Sequence, residues 1–379
     1  MAISAERIRV VHIVTRMNTG GVAVLIANLM TGLDPKKFDL TLITGSCDTT
    51  EEDYLEKIAT SIPYVKIKSL QRAISPRQDL LTFVRLWKIL REIDPAVIHT
   101  HTSKAGLIGR IVSKLAVPRA KRIHTFHGHL LDGYFSPLKT RLITKLERLL
   151  AKKTDVLIAM GNQVMKDLQT VGVGSDSKFR VFFPGLKAAN IQSRENSRIK
   201  LGVDSSKVIC LFVGRLTQIK RPDRLLDAIQ ILKEKNLEVQ FIVAGDGELS
   251  KYVEDRVREE ALPVKMFGWV KDTSEAFSSS DILVLCSDNE AVSLVLIEGS
   301  QYGLPLVSTN VGSVSDVVID HSTGYLTEST PQSLADAIEK LVRDPQLRQM
   351  MGEAGKAHAT QYFSLERMVK DHSDLYHSL

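Results

Sequence analysis

Short runs of β-branched and aliphatic residues alternate with longer stretches of helical period along nearly the whole of this 379-residue chain. That alternation restricts the fold more than any other feature. Strands joined through helices must run parallel, and parallel strands form sheets covered by helices on both faces. The alternation passes through two cycles. In the first, strands are expected at 9–15, 40–44, 65–67, 96–101, 122–126 and 156–159, with helices at 22–33, 79–92, 104–115 and 138–152. In the second, strands are expected at 208–213, 239–244, 264–267, 282–286 and 306–309, with helices at 221–235, 249–260, 293–302 and 331–342. Between them Phe183-Pro184-Gly185 and the polar stretch 190–200 read as a linker. The expected architecture is α/β: two doubly wound, Rossmann-like domains, 1–189 and 190–360, whose strand ends face each other across a cleft. A last helix at 365–376, within a segment 361–379, is expected to return to the first domain.

An apolar fraction of 44% and a charged fraction of 25% are those of a globular chain long enough for two cores. No apolar run approaches the roughly 20 residues of a membrane span, and no secretory leader is expected at the N-terminus. Three cysteines without a CxxC pair fit a reducing compartment, so the cytoplasm is the expected location. Charge is unevenly divided: residues 1–190 hold 29 Lys and Arg against 16 Asp and Glu, whereas 191–379 hold 21 against 28. A basic first half fits either a polyanionic partner, such as an anionic membrane face, or a solvated surface with no partner.

Four segments fall at expected strand ends. After the first strand comes Asn18-Thr19-Gly20-Gly21-Val22. Paired glycines before a helix let backbone N–H groups approach an anion, although a tight turn without a ligand has the same signature. The G-x-G-x-x-G fingerprint and its acidic partner are missing, which disfavours NAD. Val213-Gly214-Arg215-Leu216 with Lys220 places two cations on a loop, where they can straddle a diphosphate or join surface ion pairs. In Asp288-Asn289-Glu290-Ala291-Val292-Ser293-Leu294, Ser293 is an expected helix N-cap. The N–H groups of Ser293 and Leu294 would then sit at the positive end of the helix dipole. Glu298 lies further along that helix, where it is either a ligand-facing acid suited to a vicinal diol or a surface charge. Finally, His99, His101, His124, His127 and His129 put five of the ten histidines within 31 residues. No cysteine or HExxH accompanies them, so strand ends lining a polar cleft explain the cluster better than zinc.

Taken together, these segments resemble the retaining family 4 glycosyltransferases of the GT-B fold. The matching residues are Gly20-Gly21, the strand-end His127-Gly128, Gly214-Arg215-Leu216 with Lys220, and the Glu290 to Glu298 pair with seven residues between. The segments His99–Gly106 (HTHTSKAG) and 125–129 (TFHGH) resemble a bacterial subgroup. Phe183-Pro184-Gly185 lacks the Asn of the commoner Pro-Asn-Gly, and Ala291-Val292-Ser293 replaces the usual Gly-Phe-Pro.

The resemblance implies a role for each matched position. Arg215 and Lys220 would bind the donor diphosphate, with Gly20 and Gly21 facing it, and Glu298 would hold the ribose hydroxyls. Glu290 would contact the donor sugar near its anomeric carbon, His127 would stand on the acceptor side against that sugar, and Val270 would meet the nucleobase. Asp316 stands where the family often has Glu. His101, Lys104 and His129 are acceptor-side candidates. The implied reaction is transfer of a hexose, with retention, from a nucleotide-diphosphate sugar (UDP by family habit) to a sugar or lipid-linked acceptor in cell-surface polysaccharide or glycoconjugate synthesis. No cofactor and no metal are expected, because no Asp-x-Asp motif occurs and Asp246-Gly247-Glu248 reads as a turn.

The alternatives are a UDP-sugar 2-epimerase, which would need no acceptor pocket, and a non-catalytic nucleotide-sugar sensor. No nucleic-acid partner is expected, since recognition motifs are missing and aromatic residues make up only 6% of the chain. The basic, leucine-rich helix at 138–152 suits either peripheral contact with an anionic inner membrane face or packing on the core.

Overall fold

The computed structural model describes residues 7–48, 51–58, 61–128 and 137–379; His129 lies outside them. The chain divides into two compact units. Unit 1 runs to Gly185 and takes back Leu365–Leu379, and unit 2 is Leu186–Ser364. The chain thus crosses between units at 185/186 and 364/365, where the sequence had suggested 189/190 and 360/361. Within unit 2 the two crossing segments leave side by side, Leu186 N–H bonding to the Phe363 carbonyl at 2.9 Å.

Among the described residues, unit 1 carries a seven-stranded parallel sheet: β1 (Ile8–Val14), β2 (Phe38–Thr44), β3 (Tyr64–Lys66), β4 (Val97–His101), β5 (Lys121–Phe126), β6 (Val156–Ala159) and β7 (Phe179–Val181). Their order is β3-β2-β1-β4-β5-β6-β7. The crossover helices are α1 (Gly21–Gly32), α2 (Leu55–Ile58), α3 (Pro76–Ile93), α4 (Ser103–Ala116), α5 (Pro137–Lys152) and α6 (Asn162–Thr170). Strands buried on both faces explain the continuous apolar runs read from the sequence. Val11, Ile13, Ile43 and Ile98 are fully buried under α3 and α4.

Unit 2 opens with α7 (Arg194–Leu201), followed by β8 (Val208–Val213), α8 (Pro222–Glu234), β9 (Val239–Ala244), α9 (Ser250–Glu259), β10 (Val264–Gly268), α10 (Ser274–Ser279), β11 (Ile282–Leu285), α11 (Leu294–Gln301), β12 (Leu306–Thr309), β13 (Gly324–Thr327), α12 (Pro331–Arg343) and α13 (Pro345–Tyr362). Its parallel sheet has the order β10-β9-β8-β11-β12-β13. The helix α14 (Leu365–Ser378) completes unit 1, burying Met368, His372, Leu375 and Tyr376.

The stretch 190–200 is therefore not a bare linker. Ser193 caps α7, Gly202 ends it in the left-handed region, and Arg198 is buried against Asp281 at 2.6 Å. Composition made the stretch look solvated because the face that pays for its burial is an ion pair rather than a row of aliphatics. In both sheets the strand order reverses at one point, between β1 and β4 and between β8 and β11, and the loops after those strands gather there.

Candidate functional site

In unit 2 the loop after β8 carries Gly214, Arg215 and Lys220, and the loop after β11 carries Asp288, Glu290 and Ser293. The two loops are tied together. Asp288 N–H bonds to the Ile219 carbonyl at 2.9 Å, and the buried Cys286 thiol donates to the carbonyls of Lys220 and Arg221. Beneath them Arg224, itself buried, donates to the Cys286 carbonyl and to Asp288, both at 2.6 Å, and Arg221 also pairs with Asp288. On this base the Lys220 ammonium pairs with Glu290 Oε1, which also accepts from the Ser287 hydroxyl at 2.6 Å. Arg215 is exposed, and its guanidinium has no hydrogen-bond or ion-pair partner among the described residues.

Ser293 occupies the N-cap position of α11, but its side chain makes no capping bond, so the first N–H groups of that helix are not satisfied by it. Glu298 sits half-buried on α11. Burial first, and the nearby Asp272 second, push its carboxyl up to about 7, against a hydrogen bond from Thr273. Val270 follows β10 and is half-buried. The Asp246-Gly247-Glu248 segment is the expected turn. Its Asp246 carbonyl accepts from Leu216 N–H at 3.0 Å, and Glu248 accepts from Gln218 N–H at 3.3 Å, so it braces the cationic loop.

Unit 1 is built on different chemistry. His99 and His101 on β4, His124 on β5 and His12 on β1 are all buried, and His127 follows β5. His12 Nδ1 bonds to His101 Nε2 at 3.0 Å, and His101 Nδ1 to His127 Nε2 at 2.9 Å. His99 bonds to Tyr376 at 2.7 Å and Thr125 at 2.6 Å. His124 bonds separately to Thr100 at 2.9 Å. Burial, and then repulsion from neighbouring imidazoles, holds His99 and His101 well below the ordinary histidine range; burial puts His12 at about 3 and His127 at about 4.

The donor atoms of His12, His99 and His101 lie within 4.8 Å of one another, close enough for one metal ion. However, every ring nitrogen of the three is already hydrogen-bonded: to Tyr376, to Thr125, to His127, or within the trio. A metal would have to displace those bonds, so the donor set fits a polar network better than an ion.

Gly106 of the HTHTSKAG segment has a packing reason, since a Cβ there would come within 2.4 Å of the His124 ring. Gly20 has none. Its backbone is extended, and a Cβ would meet nothing nearer than the Asn18 carbonyl at 3.8 Å. Gly20 and Gly21 are exposed at the start of α1. Lys104 is tied down, pairing with Asp79 at 2.5 Å and donating to the Ala73 carbonyl.

The structure thus brings together Lys220 and Glu290 in one unit and His101 and His127 in the other. Sequence reading missed Ser287, Arg224, His12 and Tyr376. A histidine inside the apolar run Val10-Val11-His12-Ile13 was the available signal for His12. His372 and Tyr376, four apart on one helix face, were the signal for the C-terminal contribution.

Comparison with known proteins follows the same division. Residues 19–189 match the family model described as Glycosyltransferase Family 4, and residues 193–358 match Glycosyl transferases group 1. The chain is 26% identical over 391 aligned positions, 98% of this chain and 97% of its relative, to the Escherichia coli UDP-Gal:alpha-D-GlcNAc-diphosphoundecaprenol alpha-1,3-galactosyltransferase. It is 24% identical to the Staphylococcus aureus capsular polysaccharide biosynthesis glycosyltransferase CapM, over 91% of each chain. Among solved structures, Anabaena HepE in complex with UDP superposes with a TM-score of 0.84 at 19% identity, covering 98% of this chain and 100% of that one.

Proposed function

The chain belongs to the two-domain glycosyltransferases of GT-B fold, and from that premise we propose that it transfers a hexose, with retention and without a metal, from a UDP-sugar to a sugar or lipid-linked acceptor. The observation that carries the reading is the paired Lys220 and Glu290 beside an unpartnered Arg215, at the strand-order reversal of unit 2. As the bond between the anomeric carbon and the β-phosphate oxygen breaks, negative charge grows on the departing diphosphate. Arg215 and Lys220 offer fixed positive charge to it, so no cation has to be recruited. Glu290, released from Lys220 as that ammonium turns to phosphate, orients the sugar and stabilises positive charge at its anomeric carbon. The acceptor oxygen bonds to that carbon, and its proton passes to the leaving phosphate oxygen. Glu298 takes the ribose hydroxyls, Val270 lies beside the base, and the N–H groups of Ser293 and Leu294 favour the anion.

A thermal-shift titration tests the donor site, since a ligand bound to the native state raises the melting temperature by mass action. UDP is expected to stabilise the protein equally with and without EDTA, and Glu298→Ala to abolish the shift. A shift that needs manganese would remove metal independence. Isomerised UDP-sugar without transfer would favour a 2-epimerase, and nucleotide binding with neither reaction would favour a sensor.

Peripheral membrane contact is supported by the outer face of α5. Leu138, Leu142 and Leu149 are 78%, 67% and 56% exposed, among Lys145, Arg148 and Lys152, while Thr144, Glu147, Leu150 and Ala151 face the core. An exposed leucine stripe edged by cations suits an anionic bilayer surface. No helix of the described residues is long and apolar enough to cross a membrane. Salt-sensitive sedimentation with anionic liposomes, lost in Leu138→Ser/Leu142→Ser, is the expected result.

A further inference from the structure

Unit 1 contains an unbroken chain of side-chain hydrogen bonds that connects the C-terminal helix to His127. Thr125 Oγ1 lies 2.6 Å from His99 Nε2, and His99 Nδ1 lies 2.7 Å from the Tyr376 hydroxyl. That hydroxyl lies 3.3 Å from His12 Nε2. His12 Nδ1 meets His101 Nε2 at 3.0 Å, and His101 Nδ1 meets His127 Nε2 at 2.9 Å. The His12 and His101 planes differ by 7° with centroids 5.3 Å apart, which places the rings end to end rather than face to face. A ring N–H then points along the bond. Every member except His127 is at most 2% exposed.

Burial keeps these imidazoles neutral, His12 at about 3 and His127 at about 4. A neutral imidazole has one N–H and one lone pair in its plane, so a ring that accepts on one side must donate on the other. The direction chosen at one end of the chain is therefore transmitted to the other. At the Thr125 end one direction is favoured, because Thr125 is sealed in the core whereas His127, at the other end of the chain, is half-buried. His99 Nε2 is the one partner of the Thr125 hydroxyl among the described residues, and a buried O–H left without an acceptor costs about 1–3 kcal/mol. Thr125 therefore donates to His99, His99 Nδ1–H to Tyr376, Tyr376 O–H to His12, His12 Nδ1–H to His101, and His101 Nδ1–H to His127. His127 accepts at Nε2, which leaves its proton on Nδ1. That nitrogen is buried and has no partner among the described residues.

We propose that Thr125 and Tyr376, acting through His12 and His101, set the tautomer of His127 so that it offers an Nδ1–H donor to an oxygen of the bound ligand. His127 is then a neutral donor that selects an acceptor oxygen, not a base. Thr125, Tyr376, His12 and His101 are positioning residues, and only His127 meets ligand. The ligand half of this inference rests on the transferase reading; the tautomer half does not.

Nitrogen-15 spectra of the full chain labelled at the histidine rings, without substrate, test the tautomer. His127 is identified by its loss in His127→Gln. The expected wild-type result is a single Nδ1–H form. In Tyr376→Phe, which breaks the chain two hydrogen bonds away from His127, the Nε2–H form is expected to rise to about 10% or more as the bias of one hydrogen bond is removed. Thr125→Ser keeps the hydroxyl and should keep the wild-type spectrum. An Nε2–H form of His127 in the wild type would overturn the proposal, as would an unchanged His127 signal in folded Tyr376→Phe. Stoichiometric zinc binding that rearranges the His12, His99 and His101 signals would overturn it in favour of a metal. If Tyr376→Phe alters the tautomer while the rate of sugar transfer stays at the wild-type value, the ligand half falls and the relay stands.

Discussion

The two strand-order reversals share a topology and differ in electrostatics. In unit 1 the residues gathered there are uncharged imidazoles and hydroxyls, desolvated and bonded to one another. In unit 2 they are full charges at the half-exposed sheet edge, where Lys220 and Glu290 neutralise each other and Arg221, Arg224 and Asp288 form a base under them. One topology thus supports either arrangement because the position of the crevice follows from strand order, whereas its charge follows from how deeply the loop residues are buried. Neutral rings tolerate complete burial; ions need water or a partner.

Acid separates the two most sharply. The unit 1 imidazoles of His12, His127 and His372 titrate lower in the folded protein than in the unfolded chain, so the native state binds fewer protons. Its stability is present above the unfolded value of 6.5 and is lost as pH falls towards 3–4. At about pH 5 the loss is about 2 kcal/mol for each such ring. Glu298 works the other way: with a folded value of about 7 against 4.5, its native state binds more protons, and acid relieves the penalty. Hydrogen exchange at pH 5 and 7.5 should therefore show unit 1 amides losing protection first. Equal loss in both units would break the contrast.

A buried ion pair within unit 1 sharpens it. Arg110 Nη2 on α4 donates to both carboxylate oxygens of Glu147 on α5, at 2.8 and 2.7 Å, with side chains 2% and 5% exposed. Arg110→Met should cost about 3–5 kcal/mol in denaturant unfolding, because Glu147 is left charged and unpaired. Next comes Lys220→Ala, whose effect should fall on chemistry: about a 100-fold loss of transfer rate with the melting temperature nearly unchanged. A large loss of stability with modest loss of rate would make the unit 2 ions structural.

The smallest effect concerns Glu298. Hydroxyl donors prefer the ionised carboxyl, so nucleotide affinity should rise by up to about tenfold as pH passes through 7, and Glu298→Gln should flatten that rise in calorimetric titrations.

Much of this was legible in the residue order. The runs Val208–Val213, Val239–Ala244, Val156–Ala159 and Leu306–Thr309 occur as strands with the expected limits, because strands buried on both faces need unbroken apolar sequence. The short β7, whose Phe-Arg-Val carries little signal, was not legible, and neither was α13, whose buried face includes Gly352, Gly355 and Ala359 rather than large aliphatics. Lys220 and Glu290 could be found because charged residues at strand-to-helix turns stand out from their surroundings, and Glu298 because it is an acid among the apolar residues of α11.

The amino-acid sequence by itself determined two parallel α/β units and the loops that would carry charge, since periodicity and turn residues act over a few neighbours. Only the tertiary structure decided that His12, from the first strand, and Tyr376, 364 positions later, meet at His101 and His99. Hydrogen bonds between side chains so far apart depend on how the last helix packs on the first sheet, and no local pattern records that.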